Sequence, residues 1–267
     1  MTGRSITSRT PRFVVLGAFV GVLYLCLPLF GLLRKVSWSS LFSRLSDGPT
    51  LAALRLSLVT STLATLVAVV LGMPIAWVLA RVSFKGRAIV RSLVMLPMVL
   101  PPVVGGVALL GAYGRSQGVI GPVLFDVFGI QLTFSPAGVV VAEAFVALPF
   151  LVMAVEGGLR GLDPRYEESA AVMGAGDTTR YWRVTLRLLR PSLVAGIAVA
   201  WARALGEFGA TITFAGNIEG RTKTAPLAVY LLLESDPEAA YALSLVMLVV
   251  CVGVLVALRD RWIGNRS

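Results

Sequence analysis

DPRYEESAAVMGAGDTTRYWRVTLRLLRP, residues 163–191, is a polar, arginine-rich interruption in a chain that is otherwise apolar almost from end to end. Its first half predicts a short amphipathic helix, because Asp163 suits an N-cap and Pro164 suits the first helical position. Gly174 is placed to end this helix, since glycine tolerates the left-handed conformation of a helix C-terminus. Two acidic residues in the early turns, Glu167 and Glu168, favour the helix through its dipole.

The second half of the stretch predicts another helix after the break at 174–176. Asp177 or Thr178 can cap it, and four arginines recur along it at helical spacing: Arg180, Arg183, Arg187 and Arg190. Pro191 is expected to end this helix and to open the next apolar run. By pattern alone, residues 157–191 (the elbow) form either a helix-turn-helix at a membrane surface or an ordinary anchored loop.

Composition places the chain among multi-pass membrane proteins. Its 267 residues are 57% apolar and only 14% charged, and the mean hydropathy is +0.84. Histidine is absent, which excludes histidine metal sites and Ser-His-Asp triads. The two cysteines, Cys26 and Cys251, lie in separate apolar runs without metal-ligand or redox spacing.

Six apolar segments are long enough to cross a hydrocarbon core of roughly 30 Å. We expect each to be a helix, because a spanning segment must satisfy its own backbone hydrogen bonds. The predicted fold is therefore an all-α polytopic membrane protein with one transmembrane domain, 13–258, between tails at 1–12 and 259–267. The predicted spans are 13–33, 54–79, 93–113, 137–156, 192–214 and 238–258.

Basic residues predict the orientation of these spans. Sixteen of the 24 Lys and Arg fall on one side, seven fall on the other, and Arg203 lies within a span. The positive-inside rule then places both termini and the elbow in the cytoplasm, although Arg34 and Lys35 run against it. The net charge of +10 is explained by contact with anionic lipid, so nucleic acid is not expected as a partner.

The third predicted span contains LPMVLPPVVGG, residues 96–106, and should be broken or kinked at one end. Irregular backbone at membrane depth is tolerated where protein or a water-filled cavity surrounds it. Its prolines and glycines therefore either line a translocation path or gate, or provide a kink that only helps packing: Pro97, Pro101, Pro102, Gly105 and Gly106.

The fifth predicted span carries two charged residues, Arg203 and Glu207, four apart on one helical face. Charges at membrane depth usually face protein or a cavity. They form either a structural or gating pair, or a direct contact with an anionic substrate. Other small or polar residues nearby are candidates for close helix packing or for the path: Gly206, Gly209, Thr211 and Thr213. Two further carboxylates, Glu143 and Glu156, are expected at the membrane interface.

The elbow resembles the cytoplasmic signature of ABC importer permeases, E-A-A-x3-G-x9-I-x-L-P. The chain has Glu168-Ser169-Ala170-x3-Gly174-x9-Val184-Thr185-Leu186-Arg187, which departs from the signature at Ser169, Val184 and Arg187. Pro191 offers the proline that Arg187 replaces. Two other stretches, 96–106 and 203–230, resemble the permease subunits of molybdate importers, with sulfate and thiosulfate permeases as relatives.

This resemblance implies a homodimer that works with two ABC ATPase subunits and an extracytoplasmic molybdate-binding protein. ATP and Mg²⁺ would be bound by the ATPase, because the chain has no phosphate-binding loop of its own, and neither a metal nor a catalytic residue is expected here. A sulfate or thiosulfate permease, an ion-gradient transporter and a membrane enzyme are the alternatives. The residues that the resemblance assigns to ATPase coupling are Tyr166, Glu167, Glu168, Ser169, Ala170, Gly174, Val184 and Leu186.

Overall fold

The computed structural model describes residues 11–262, apart from the side chains of Leu255 and of residues 258–262. The predicted tails, 1–12 and 259–267, lie largely outside the described residues. Among the described residues there are helices and no strands: α1 (Arg12–Lys35), α2 (Leu41–Leu45), α3 (Gly48–Arg81), α4 (Arg87–Val99), α5 (Pro102–Tyr113), α6 (Gly121–Phe128), α7 (Pro136–Gly161), α8 (Arg165–Val172), α9 (Asp177–Thr179), α10 (Leu186–Leu205), α11 (Gly209–Phe214), α12 (Ala225–Ser235) and α13 (Pro237–Trp262).

The predicted third span is a pair of helices, α4 and α5, whose axes differ by 118°. The break falls at Leu100 and Pro101, in the middle of the pair, and not at one end as the sequence suggested. Pro101 and Pro102 have no backbone N–H, so the helical ladder loses two consecutive donors at this point.

Helix directions show how often the described chain crosses the bundle. Helices α3 and α7 run parallel, because Thr60 contacts Glu143 and, further along both helices, Gly72 lies against Leu151. Parallel neighbours require the chain between them to return to its starting end, so α4 and α5 together make one crossing. With the five long apolar helices, the described residues contain the six predicted spans. We call the end of the bundle that carries α8 the elbow end, and the other the far end.

The core lies where α3, α7 and α10 meet. Leu79, Leu151 and Leu159 are almost completely buried there. Small residues bring the helices together: a Cβ at Gly196 would lie only 2.9 Å from the Cβ of Ala154. Helix α1, in contrast, has no buried residue and packs mainly along α13.

The fifth span begins at Asp177 and ends at Leu205, so both of its ends lie closer to the N-terminus than the predicted bounds, 192–214. Helix α9, a π-helical turn (Arg180–Thr185) and α10 form one continuous helix of 29 residues, Asp177–Leu205, here called the long helix. Pro191 lies inside it, so the expectation that Pro191 ends a helix is wrong. A single proline removes one ladder hydrogen bond, and the packing of α10 against α3 and α7 retains the helix around it. The non-spanning part of the elbow therefore shrinks to 162–176.

Ion pairs at the far end join segments that the sequence left unconnected. Arg44 of α2 pairs with Asp236 and, at 2.7 Å, with Glu238 at the start of α13. The Ala239 N–H also donates to Asp236 at 3.2 Å. This backbone hydrogen bond is the largest cause of a lowered pKa of the Asp236 carboxyl, and the nearby Arg44 lowers it further. The carboxylate form is thus favoured at the α13 N-terminus, and that preference disappears as the pH falls below the pKa.

We expect Gly158→Ala to destabilise the fold while Gly157→Ala does not. A Cβ at Gly158 would lie 2.5 Å from the Cβ of Ser192 and 2.8 Å from Leu189, whereas nothing lies within 4 Å of a Cβ at Gly157. Overpacking of this kind costs about 1–3 kcal/mol. Denaturant unfolding of both variants in micelles measures the difference, and equal stabilities would contradict the α7–α10 packing.

Candidate functional site

Helix α8 is a short helix with defined ends. The Arg165 N–H donates to Asp163 Oδ1 at 3.0 Å, which fixes its start. At its end Gly174 has φ +85°, and the Ala175 N–H reaches the carbonyl of Ala170 at 2.9 Å. This is the hydrogen-bonding pattern of a Schellman motif. The predicted stop at Gly174 is confirmed, and its positive φ favours glycine.

The inner face of α8 is fixed to two spans through Glu167. Its carboxylate accepts from Arg81 at the end of α3 (3.1 Å) and from Thr185 Oγ1 in the long helix (2.8 Å). Thr185 is 1% exposed, and Ala170 of α8 is buried as well. The sequence grouped Glu167 with residues that contact a partner, but the structure places it between α8 and the spans.

The outer face of α8 exposes a mixed surface. Val172 is 90% exposed and Met173 is 80% exposed, and they share this face with Tyr166, Glu168 and Ser169. Large apolar side chains exposed in a polar segment are typical of a protein interaction surface. Val184 and Leu186 lie on the long helix and are half-buried, so they are not part of the exposed outer face.

Four of the predicted path residues meet where α5, in the third span, packs against α11, which follows the long helix. A Cβ at Gly209 would lie 2.7 Å from the Cβ of Pro102, and one at Gly106 would lie 2.6 Å from the Cβ of Thr213. Neither contact leaves space for a larger residue. The backbones of the two helices therefore approach closely because these positions are glycine.

The remaining members of the predicted set are separate from that contact. Gly105 faces Phe145 of α7, and the Cβ position of Gly206 meets only the carbonyl of Ala202 in its own helix. The expectation that Gly206 admits a neighbouring helix is therefore wrong. Pro101 lies in the break before α5. Pro97 lines an apolar cavity of about 350 Å³ between α3, α4, α5 and α7.

Glu207 lies in the interruption between α10 and α11, not on a continuous helix. It is 1% exposed and pairs with Arg203 at 2.7 Å, which confirms the predicted pair. Its other oxygen accepts from the Ala210 N–H at 2.9 Å. One carboxylate thus joins the last turn of α10 to the first turn of α11.

Further polar residues predicted from the sequence, Thr211, Thr213 and Glu143, are buried or partly buried. Thr211 is fully buried and its hydroxyl has no partner among the described residues, whereas the Thr213 hydroxyl donates to the Gly209 carbonyl at 2.8 Å. Glu143 is 1% exposed; one oxygen accepts from Thr60 at 3.0 Å, and the other has no partner within the same part of the chain. Glu143 is thus enclosed between α3 and α7, while its expected position at the membrane interface stays a prediction.

Glu156 is also buried, with a side chain 8% exposed, and it pairs with Arg91 and with Arg160 (2.8 Å). Arginines from α4 and α7 thus enclose its carboxylate, and its expected position at the membrane interface stays a prediction. Serine and threonine spacing on α3 was the signal for a buried polar face that reaches α7. Ser57, Thr60, Ser61 and Thr65 of this face are all buried.

Comparison with known proteins identifies relatives along most of the chain. Residues 68–266 match the family model described as "Binding-protein-dependent transport system inner membrane component". The molybdenum transport system permease protein of Mycobacterium tuberculosis is 46% identical over 253 residues, which is 94% of each chain. The corresponding Escherichia coli K12 protein is 40% identical over 219 residues, covering 82% of this chain and 95% of its own length.

Two further matches bear on specificity and fold. The sulfate transport system permease protein of Escherichia coli K12 is 37% identical over 230 residues, covering 85% of this chain and 82% of its own length. A crystal structure of a bacterial ABC transporter that imports alginate contains a chain of the same fold. Its TM-score is 0.75 at 17% identity, with 96% of this chain and 97% of that chain covered.

The Arg203–Glu207 pair should show energetic coupling in a double-mutant cycle. Glu207→Ala leaves Arg203, whose side chain is 29% exposed, without its partner and frees the buried Ala210 N–H, so we expect a loss of about 1–3 kcal/mol. Arg203→Ala combined with Glu207→Ala should cost less than the sum of the single changes. Unfolding in mixed micelles measures this cycle.

The exposed pair Lys223–Glu219, at 3.3 Å and also four residues apart, provides the control. Glu219→Ala should change stability by less than about 1 kcal/mol. Strictly additive effects of the Arg203 and Glu207 substitutions would show that the pair does not couple the two helices.

Proposed function

The chain belongs to the family of inner membrane components of binding-protein-dependent transport systems, and we propose that it is the membrane subunit of an ATP-driven importer of molybdate. The observation that carries this proposal is its identity to molybdenum permeases along nearly the whole chain. Family membership assigns transport, not catalysis, to this chain. ATP and Mg²⁺ belong to a separate ATPase subunit.

In this proposal the working unit contains two copies of the chain, two ATPase subunits and an extracytoplasmic protein that delivers the anion. The elbow end faces the cytoplasm, as do both termini, in keeping with the concentration of arginines there. The outer face of α8 docks on the ATPase. Its exposed Val172 and Met173 supply apolar contact, while Glu168 and Ser169 supply polar contact.

The long helix carries a displacement of α8 through the membrane. Glu167 links α8 to Arg81 and Thr185, so ATPase closure moves α3 and the long helix together. The long helix has 29 residues without interruption, which corresponds to roughly 43 Å. It ends at Leu205, two residues before Glu207. The carboxylate of Glu207 pairs with Arg203 and accepts a hydrogen bond from the Ala210 N–H at the start of α11.

The pair α5 and α11 is the proposed gate. Because Gly106 and Gly209 bring the two helices into direct contact, they move as one unit. The interruptions at Leu100–Pro101 and at 206–208 are the flexible points on either side of it. Arg203 and Glu207 act as the gating pair, and the substrate passes between the two copies of the chain.

Sulfate is the second candidate substrate, since the sulfate permease of Escherichia coli is also a relative. Molybdate, tungstate and sulfate are tetrahedral dianions that would meet the same path. In this proposal the delivery protein accounts for most of the discrimination among these anions. We choose molybdate as the substrate because the chain is more identical to these molybdenum permeases than to the sulfate permease.

Gly174→Asp should abolish uptake and substrate-stimulated ATP hydrolysis without preventing membrane insertion, as should deletion of 166–173. A side chain at φ +85° strains the end of α8, and the deletion removes the docking surface itself. Gly176→Asp is the control, because it adds the same charge in the same loop at φ −67°. Undiminished transport by either impaired variant would refute the coupling role of α8.

Uptake of labelled molybdate by cells with and without this chain tests the substrate. We expect tungstate at equal concentration to compete and sulfate at equal concentration to have little effect. Strong competition by equimolar sulfate would replace the molybdate assignment with sulfate. Uptake that continues without the ATPase subunit would instead favour an ion-gradient transporter.

A further inference from the structure

An open cavity of about 580 Å³ lies at the elbow end, between the end of α3, the start of α4 and the end of α7. Three arginines line this cavity: Arg87 and Arg91 on the first turns of α4, and Arg160 on the last turn of α7. Two alanines, Ala80 and Ala88, complete the lining and leave the guanidinium groups room. This cluster is separate from the outer face of α8 and from the contact between α5 and α11.

The cluster has an excess of positive charge. Glu156 is the carboxylate that pairs with Arg91 and with Arg160, the latter at 2.8 Å. Arg87 donates to the carbonyls of Leu79 and Ala80 at the end of α3, which neutralises none of its charge. Three guanidinium groups against one carboxylate leave two positive charges, and such a cluster favours an anion with several oxygen acceptors.

The same three helices, together with α5, line an apolar cavity of about 350 Å³ deeper in the bundle. Val94 follows Arg91 by one helical turn on α4, so the two cavities adjoin one face of that helix. Leu71 lies about 13 Å along α3 from Ala80, and Leu148 lies about 18 Å along α7 from Arg160, at 1.5 Å per residue. We call the two cavities and the face of α4 between them the groove; its end at Arg87, Arg91 and Arg160 is cationic and its other end is apolar.

We propose that this groove binds an anionic phospholipid. The phosphate is held by Arg91 and Arg160, with Arg87 beside them, and an acyl chain lies against Leu93, Pro97 and other apolar residues of the deeper cavity. A free oxyanion shares the headgroup chemistry but has nothing to place in the apolar part. The two-part shape therefore selects the lipid over inorganic phosphate or molybdate.

The test uses the purified full chain in neutral detergent micelles, titrated with phosphatidylglycerol or phosphatidylcholine. Bound lipid is counted by native mass spectrometry, and the thermal midpoint is measured in parallel. We expect phosphatidylglycerol to bind and to raise the midpoint, while phosphatidylcholine does neither. Equal effects of the two lipids would overturn the proposal.

Three variants localise the binding. Arg160→Gln keeps the Arg91–Glu156 pair and should weaken phosphatidylglycerol binding about fivefold, the effect of one basic residue at a membrane surface. Arg190→Gln removes an exposed charge outside the groove and should leave binding unchanged. Leu93→Trp fills the apolar cavity from a 61% exposed position, so it should weaken lipid binding even if Arg160→Gln fails to fold.

Inorganic phosphate and molybdate, each added alone, distinguish the source of the anion. Neither should reproduce the midpoint shift caused by phosphatidylglycerol. An equal shift that Leu93→Trp does not affect would mean that the arginines hold a free oxyanion, and it would overturn the lipid assignment. Loss of binding in Arg190→Gln equal to that in Arg160→Gln would show a general surface charge effect and would also overturn it.

Discussion

The interruption between α10 and α11 depends on the interactions of one carboxylate, that of Glu207. A helix can stop within a membrane only if the backbone groups it frees find partners inside the protein. Glu207 accepts from the Ala210 N–H at the start of α11 and neutralises Arg203 at the end of α10. The interruption is therefore stable although Glu207 is only 1% exposed, and it allows α11 to pack against α5.

Two other carboxylates solve similar problems at the elbow end. Glu156 holds Arg91 of α4 and Arg160 of α7, and Glu167 holds Arg81 of α3 and Thr185 of the long helix. Each acidic group joins separate segments through charge-assisted hydrogen bonds, which are stronger than neutral ones. Few acidic residues are thus needed to fix the helix ends against one another.

The arginines at the elbow end have more than one role. Arg81 fixes α8 to α3, and Arg87 covers carbonyls at the α3 C-terminus. Arg183, Arg187 and Arg190 are exposed along the long helix, away from these contacts. The positive-inside count treats all of these residues alike, but the structure separates those that build the bundle from those that face its surroundings.

Periodicity and composition by themselves determined the helical class, the six crossings and the short helix that ends at Gly174, because these follow from local patterns of apolar residues and turn formers. The same local reasoning paired Arg203 with Glu207 and marked 96–106 as irregular. It misplaced the break in that span, made Pro191 a helix end and did not foresee that Glu143 is buried.

Only the tertiary structure decided those points. Whether a proline ends a helix depends on the packing around it, and whether a glutamate is buried depends on residues distant in sequence, such as Thr60 beside Glu143. The contact between Gly106 and Thr213 is likewise invisible in either segment alone. Spacing along one helix fixes which residues share a face, but only the fold fixes what that face meets.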